Sequence, residues 1–155
     1  MQSYSAVISS PLGKLGISTQ NEKLAGIDFL ASSIAEQQAS DLFCSEVIYQ
    51  LQAYFNSAQH IFSLPLLEIG TNFQQRVWQT LRTIPPGQSL SYGQLAKQLQ
   101  TSARAIGNAC RCNPIPIVTP CHRIVGITNL GGYSGLTTGD IWSNKAWLLK
   151  HEQES

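Results

Sequence analysis

The stretch "YGQLAKQLQTSARAIGNAC", residues 92–110, decides how the second half of this chain folds. Two short segments with helical periodicity flank a tight turn, and Ser102 stands where the N-cap of the second helix is expected. The small Ala96 falls where the two helices would cross, with Leu95 and Ile106 facing inward. This spacing predicts a helix-turn-helix, although an ordinary hairpin of two helices is the commoner structure with such a pattern.

The flanking sequence predicts further helices and, near the start, a small sheet. Helical spacing recurs in residues 71–84 and 143–153, and "PPG" at 85–87 ends the first of these helices. Residues 5–30 instead alternate apolar and polar side chains around two turns, as antiparallel strands do. Asp41 can cap a helix that follows these strands.

A change in composition near residue 69 predicts two domains. Residues 1–68 are expected to form a small antiparallel sheet with a helix. Residues 69–155 are expected to form a mainly helical domain whose helix-turn-helix is winged-helix-like. The expected fold class is therefore α/β, of the α+β kind.

Length and cysteine usage limit the kind of protein. A chain of 155 residues can bury a core without disulfides or a metal. No bilayer-spanning stretch and no secretory signal are visible, so a cytoplasmic protein is expected, nucleoid-associated if bacterial. The four cysteines match no common zinc pattern, so no metal site is predicted. Cys110 and Cys112 are interpreted as small core thiols on a helix.

Charge is distributed unevenly along the chain. The span 69–139 contains no Asp or Glu but carries six Lys or Arg residues, a formal charge of +6. Residues 1–68 hold two lysines against six acidic residues, a formal charge of −4. Chance in a charge-poor chain is the weaker explanation for so long an acid-free run. The pattern suggests an anionic partner for the second half, with nucleic acid the obvious candidate.

The helix-turn-helix lies inside this basic span, so double-stranded DNA is the expected partner. Some side chains on or near the exposed face of its second helix can reach phosphates and groove edges. They are Ser102, Arg104, Asn108 and Arg111. Arg123, in the same basic span, is also expected to contact DNA.

A second motif, "NPIPIVTPCHRIVG" at residues 113–126, places Cys121 beside His122 behind a stiff apolar arm. A thiolate is a strong nucleophile, but it needs a base or a nearby charge to form at neutral pH. Since adjacent residues seldom face each other, a water relay between thiol and imidazole is expected rather than direct contact. For a bare Cys-His pair, a buried cysteine beside a surface histidine is the alternative interpretation.

Four segments together give the chain its resemblance to a known family. They are "GTNFQQRVWQTLRTIPPGQSLSYGQLA" (70–96), "SARAIGNACRCNPIPIVTPCHRIVG" (102–126), "GGYSG" (131–135) and "KAWLLKHE" (145–152). The chain resembles the methylated-DNA–protein-cysteine methyltransferases, also called O6-alkylguanine-DNA alkyltransferases. The resemblance covers essentially all of residues 70–152, and only the general domain type before that.

The resemblance implies roles for residues around the thiol. It makes Cys121 the alkyl acceptor, His122 the base acting through a water, and Glu152 the acid that orients His122. Asn113 would tie the "NPIPI" arm to the helix-turn-helix and brace the site. The hydroxyl of Tyr92 would meet the flipped guanine.

The resemblance also implies residues that hold the substrate. Arg104 is similar to the family's arginine finger, which fills the stack that the flipped base leaves. Tyr133 and Ser134 would line the pocket beside the alkylated oxygen. Backbone carbonyls near Cys121 and Ile124 would read the guanine amino group.

The implied reaction is direct-reversal DNA repair by a single-turnover methyltransferase. The alkyl group of O6-alkylguanine, and less readily of O4-alkylthymine, would move irreversibly to Cys121 after base flipping. No cofactor, metal or membrane partner is implied, and a monomer is expected. Two alternatives are a non-catalytic binder of alkylated DNA with the same fold, and a Cys-His-Glu hydrolase, which would need an oxyanion hole.

The chain departs from the family's pattern at two places. Thr119 stands where the family has an aliphatic residue before the Pro-Cys pair. Residues 136–144 make a longer connection to the last helix than the family usually has.

Overall fold

The structure, a computed structural model, describes residues 3–126 and 140–154. The chain divides into two compact units, one ending at Glu68 and the other spanning Ile69–Glu154. They are called the N-terminal unit and the C-terminal unit below.

The N-terminal unit is built on a three-stranded antiparallel sheet. Its strands are β1 (Ala6–Ser10), β2 (Gly13–Gln20) and β3 (Lys23–Leu30), in the order β1-β2-β3. Asn21 and Glu22 join β2 to β3 with φ angles of 52° and 58°. Two successive positive φ angles are the signature of the type I′ turn, whose twist matches that of the paired strands.

One helix completes the N-terminal unit. Helix α1 (Leu42–Asn56) begins at Asp41, whose carboxylate accepts a hydrogen bond from the amide of Cys44 at 2.8 Å. Its buried face contributes Val47, Leu51 and Tyr54 to the core.

The C-terminal unit begins with helix α2 (Asn72–Leu81). A capping box closes its first turn, because the side chains of Thr71 and Gln74 each accept from the other's backbone amide. The indole of Trp78 is buried and donates to the carbonyl of Ala109 at 2.9 Å. This bond ties α2 to the helix-turn-helix.

The helix-turn-helix consists of α3 (Tyr92–Gln98) and α4 (Ala103–Arg111). Helix α3 ends in a Schellman motif: the amide of Thr101 donates to the carbonyl of Ala96 at 2.9 Å and that of Gln100 to Lys97 at 3.3 Å. Gln100 takes the left-handed conformation that this motif requires, with φ 57°. The turn is therefore set by backbone hydrogen bonds.

The remaining elements hold the "PCHR" segment. Residues Cys121–Arg123 form one 3-10 turn, and strand β5 (Ile124–Val125) follows it directly. Strand β5 pairs in parallel with β4 (Leu90–Ser91), which sets Leu90 beside Ile124. Helix α5 (Asp140–Gln153) packs against the 3-10 turn.

The expected fold class is confirmed, with three differences of detail. The short β4–β5 pair was not predicted, because two residues carry no periodicity. Helix α5 begins three residues before the predicted range. The interpretation of Cys112 as a core thiol is wrong: it is the exposed C-cap residue of α4, and Cys110 is only half-buried. Within the described residues, no helix has both the length and the apolar character that crossing a membrane requires.

Trp78→Phe tests the link between α2 and α4. The change keeps an aromatic ring but leaves the buried carbonyl of Ala109 without its indole donor. We expect a loss of about 1–3 kcal/mol in the free energy of unfolding, measured by urea denaturation followed by circular dichroism. Gln79→Ala, exposed on the same helix, should change it by less than about 0.5 kcal/mol. Equal stability of both variants would contradict this account.

Candidate active site

The arm that precedes the cysteine is held by a dense set of hydrogen bonds. The amide group of Asn113 donates to the carbonyl of Thr119 at 2.9 Å, and its oxygen accepts from the amide of Ile115 at 3.0 Å. The amide of Thr119 donates to the carbonyl of Ile115 at 2.9 Å. The side chain of Asn113 thus closes residues 113–119 into a loop.

Strain is concentrated in the same loop. Ile117 is buried and has φ 74°, a left-handed conformation that a β-branched residue rarely adopts. Such a conformation costs on the order of 1–3 kcal/mol and persists only where the surroundings enforce it. The hydrogen bonds of Asn113 and Thr119 and the burial of Ile117 itself supply that enforcement.

Cys121 lies at the start of the 3-10 turn and is 5% exposed. Burial raises the pKa of its thiol to about 11, although a hydrogen bond from Asn113 and the nearby charge of Lys145 act in the opposite direction. The thiol is therefore neutral at pH 7 in the free protein. It needs a base, or further positive charge, to become a nucleophile.

His122 and Glu152 meet as a buried pair. The Nε2 atom of His122 lies 2.7 Å from Oε2 of Glu152, and the imidazole is fully buried. Burial lowers the pKa of His122 and outweighs the opposing effect of Glu152, so the ring is neutral at pH 7. A carboxylate can only accept, so we assign the ring proton to Nε2. The unprotonated Nδ1 is buried and has no hydrogen-bond partner among the described residues.

Arg123 requires a correction. It was expected to contact DNA, but its side chain is buried and paired with Glu152, Nε at 3.0 Å from Oε1 and Nη2 at 2.9 Å from Oε2. It also donates to the carbonyl of Ile84. Sequence position could not show this, because the acid that neutralises Arg123 lies outside the acid-free span. Arg123 stabilises the site from within and does not belong to the protein surface.

Glu152 is consequently held as an anion. Burial alone would raise its pKa, but hydrogen bonds from His122 and Arg123 outweigh burial and lower the pKa well below the ordinary value. Its Oε1 atom is also 3.4 Å from the amide of Gly87. The implied pairing of Glu152 with His122 is thus present in the structure.

Lys145 is a site residue that the sequence analysis missed. It is fully buried, its Nζ donates to the carbonyl of Ile124 at 2.6 Å, and it lies 5.7 Å from the ring centroid of Tyr92. Burial lowers the pKa of Lys145 to about 8, against the opposing effect of Cys121 and Cys110. The sequence offered one signal of this burial: Lys145 lies in the first half of a helix that was otherwise expected to pack against the core.

The described pocket residues gather around this lysine. Tyr92, at the start of α3, is half-buried under the Lys145 ammonium group. Ile124 follows the 3-10 turn, and its carbonyl is engaged by Lys145. The structure thus brings Tyr92, Ile124 and Lys145 together. Tyr133 and Ser134 lie outside the described residues, as do residues 136–139 of the connection that follows them.

The predicted DNA-reading residues share an exposed face of α4. Arg104, Asn108 and Arg111 are spaced by four and three residues and are all exposed, whereas Ile106 and Ala109 face the core. Ser102 is exposed, but it is the N-cap residue of α4, and its hydroxyl accepts a hydrogen bond from the amide of Ala105 at 3.1 Å. Its first role is therefore to begin the helix.

The arrangement suits nucleophilic chemistry at sulfur. It combines a buried thiol, a neutral imidazole whose Nδ1 is unpaired within the described part of the chain, a fixed carboxylate and a buried ammonium group. Among the described residues, no three His, Cys, Asp or Glu side chains are grouped to hold a metal ion. The exposed face of α4 carries no negative charge.

The pH dependence of stability tests the buried cluster of His122, Arg123 and Glu152. Glu152 has a pKa below that of the unfolded chain, so its ionisation stabilises the fold above about pH 4.3 and that contribution is lost as pH falls. His122 acts in the same direction, since the unfolded imidazole takes up a proton below about pH 6.5. We expect the free energy of unfolding to fall steadily on acidification below about pH 6.5.

Glu152→Gln should weaken this dependence and cost about 3 kcal/mol at pH 7, because Arg123 loses its buried counter-charge. The measurement is urea denaturation between pH 3 and pH 8. Glu154→Gln is the matched control, as that side chain is 65% exposed and pairs only loosely with Lys150 at 4.0 Å. An unchanged acid slope in Glu152→Gln would show that the cluster does not control stability.

Two family models match the chain, one to each unit. Residues 72–154 match the model described as 6-O-methylguanine DNA methyltransferase, DNA binding domain. Residues 3–67 match that described as 6-O-methylguanine DNA methyltransferase, ribonuclease-like domain.

Named relatives and solved structures agree with these matches. The chain is 35% identical to the constitutive methylated-DNA–protein-cysteine methyltransferase of Bacillus subtilis, over 98% of this chain and 96% of that protein. It is 37% identical to a methyltransferase of Methanosarcina mazei with the same family name, over 98% of each. A Mycobacterium tuberculosis O6-methylguanine methyltransferase superposes with a TM-score of 0.79 at 36% identity, covering 96% of this chain and 91% of the other.

A structure of the Mycobacterium tuberculosis protein in complex with DNA superposes equally well, with a TM-score of 0.79 at 37% identity, over 96% of this chain and 91% of that one. The matched DNA-binding model includes the helix-turn-helix and its exposed basic face. The arm, the "PCHR" turn and the Glu152 helix lie within the same matched range. The chain belongs to the methylated-DNA–protein-cysteine methyltransferases, a family of DNA repair enzymes that bind DNA.

Proposed function

We propose that this protein repairs O6-alkylguanine in double-stranded DNA by moving the alkyl group to the sulfur of Cys121. The proposal rests above all on one observation. A buried thiol directly follows a rigid arm and precedes an imidazole whose Nε2 is held by Glu152 and whose Nδ1 has no hydrogen-bond partner among the described residues. O4-alkylthymine is a weaker second substrate.

Activation of the thiol begins with the neutral imidazole. His122 Nδ1 accepts the proton of Cys121 through a water, and Glu152 then stabilises the imidazolium through the 2.7 Å bond to Nε2. Asn113 and the ammonium group of Lys145 favour the thiolate. Together these groups offset the burial that otherwise raises the pKa of Cys121.

The transfer step is a displacement at the alkyl carbon. The thiolate forms a new S–C bond while the C–O bond to guanine breaks, and the guanine takes up one proton as it leaves. We assign the Tyr92 hydroxyl as the donor of this proton. The proton that Cys121 gave to His122 then returns the Tyr92 oxygen to its neutral form. The product is a thioether, which has no good leaving group, so each molecule reacts once.

Access to the lesion requires that the base leave the duplex. The alkylated oxygen lies on the Watson–Crick edge, and extruding a nucleotide costs a few kcal/mol. Helix α4 is slim, because Ala103, Ala105 and Gly107 alternate with its longer side chains. Arg104 on its exposed face fills the vacated stack, and Asn108 and Arg111 contact the backbone.

The other roles follow from the same chemistry. One acceptor thiol in each chain suffices, so the protein works as a monomer. It acts in the cytoplasm, at the DNA. Backbone carbonyls near Cys121 and Ile124 read the guanine amino group, and Tyr133 and Ser134 border the alkyl group. A lesion-sensing protein of the same fold would bind alkylated DNA and leave Cys121 free, which direct observation of the sulfur distinguishes.

Mass spectrometry of the intact protein tests the reaction. After mixing with duplex DNA that contains O6-methylguanine, we expect one added methyl group on each chain, located on Cys121 and absent from Cys121→Ala. The amount of repaired DNA should equal the amount of protein, since the thioether is not recycled. Tight binding without an adduct would support the lesion-sensing alternative, and repeated turnover the hydrolase class.

Lys145→Gln tests the role of the buried ammonium group. Glutamine can still donate to the carbonyl of Ile124 but carries no charge, so the pKa of Cys121 should rise further. The rate constant for methyl transfer at pH 7 should fall about tenfold for each pKa unit gained. Lys150→Gln, on the same helix with a 76% exposed side chain, is the matched control and should react as the wild type does. Equal rates in both variants would remove Lys145 from the mechanism.

A further inference from the structure

Thr119 is the point at which the arm is tied to the nucleophile. Its carbonyl accepts from two donors, the amide of Cys121 at 2.9 Å and the side chain of Asn113 at 2.9 Å. Its own amide donates to Ile115 at 2.9 Å. Any movement of Thr119 therefore moves the backbone of Cys121, two residues away.

The side chain of Thr119 is fixed from outside the arm. Its hydroxyl accepts from Nη1 of Arg82 at 2.7 Å, and Thr119 is 1% exposed. Arg82 is the C-cap residue of α2 and is itself only partly exposed. Arg82 thus links the end of α2 to the residue that holds Cys121.

The Thr119 hydroxyl is the group that makes this contact with Arg82 possible. An aliphatic side chain there could pack but could not accept a hydrogen bond from an arginine. A buried hydroxyl without a partner would be costly, so Thr119 and Arg82 form a matched pair.

We propose that Arg82 and Thr119 form a positioning pair that holds the sulfur of Cys121 in line with the bond it attacks. The left-handed conformation of Ile117 strains the arm and favours its relaxation. The hydrogen bond from Arg82 to Thr119 opposes that relaxation. A small displacement of an attacking atom reduces a transfer rate strongly, whereas it leaves distant binding contacts intact.

This role predicts that the pair acts on transfer and not on DNA binding. Thr119 is buried and cannot touch DNA. The exposed DNA-reading side chains lie on α4, an element that neither residue belongs to. The inference rests on the proposed function, since it concerns the geometry of the same sulfur.

The experiment separates the two steps. The single-turnover rate constant for methyl transfer from O6-methylguanine DNA is measured with saturating DNA, and the dissociation constant for unmodified duplex is measured separately. Thr119→Val keeps the volume and β-branching but removes the hydroxyl. We expect a roughly tenfold lower rate constant, the size expected when a hydrogen bond to a charged group is lost, with the dissociation constant unchanged within about twofold.

Three further variants decide whether the pair is responsible. Thr119→Ser retains the hydroxyl and should restore most of the rate. Arg82→Met should lose as much as Thr119→Val, and the double variant should lose no more than either single one. Arg76→Met is the matched control, because Arg76 lies earlier on α2, is exposed, and donates to the carbonyl of Leu99 at 3.3 Å.

Several results would overturn the proposal. They are an unchanged rate constant in Thr119→Val or Arg82→Met, additive losses in the double variant, no recovery in Thr119→Ser, or a loss confined to DNA affinity. If Thr119→Val fails to fold, Arg82→Met decides alone, since Arg82 is partly exposed at a helix end.

A second readout separates failure of the pair from failure of the repair proposal. Methylation of Cys121 by methyl iodide without DNA, followed by mass spectrometry, reports the setting of the sulfur whether or not the wild type repairs DNA. Thr119→Val should change this rate and Arg76→Met should not. A wild type that reacts with methyl iodide but not with O6-methylguanine DNA would refute the repair proposal and leave the pair testable.

Discussion

The carboxylate of Glu152, buried against His122 and Arg123, is the constraint on which the C-terminal unit depends. Removing three charged or polar groups from water is costly, and only close mutual pairing makes it tolerable. That pairing fixes α5 against the 3-10 turn, chooses the imidazole tautomer and leaves Nδ1 as the acceptor. In the proposed reaction, the same contact therefore serves both the stability of the fold and the chemistry of the thiol. Apolar packing could join the same two elements, but it could not orient an imidazole.

Cys121, the proposed nucleophile, is placed by a second set of contacts that work against strain. Residues 113–119 form a loop closed by Asn113. The loop holds Ile117 in a left-handed conformation that isoleucine rarely adopts. A loop of this kind is stiff because relaxing any part of it breaks hydrogen bonds elsewhere. Burial of Cys121 then has two consequences: it excludes solvent from the sulfur, and it raises the pKa of the thiol, which makes the neighbouring cation and base necessary.

Much of this could be predicted from the sequence, and the rest could not for identifiable reasons. Capping residues and apolar periodicity predicted α1, α3 and α4 to within a residue or two, because these signals are local. The start of α2 was predicted equally well, but the helix ends at Leu81, three residues before the end of the predicted range. The Glu152–His122 pair was predicted from the family resemblance, because apolar periodicity does not show which polar side chains meet. Arg123 was misjudged because charge along a sequence does not show which cations are buried. Lys145 was overlooked because a lysine is usually exposed, and its burial depends on the carbonyl of Ile124, twenty-one residues earlier.

The order in which these parts are made has a further consequence. A ribosome produces Cys121, His122 and Arg123 well before it produces Glu152, which is contributed by the following helix. Until that helix docks, Arg123 and His122 lack their buried acceptor, so burial of the turn is unfavourable. The sheet of the N-terminal unit, whose strands are consecutive hairpins, needs no such late partner. The nascent chain should thus expose an unassembled thiol until the helix that carries Glu152 docks, whereas the N-terminal unit can fold earlier.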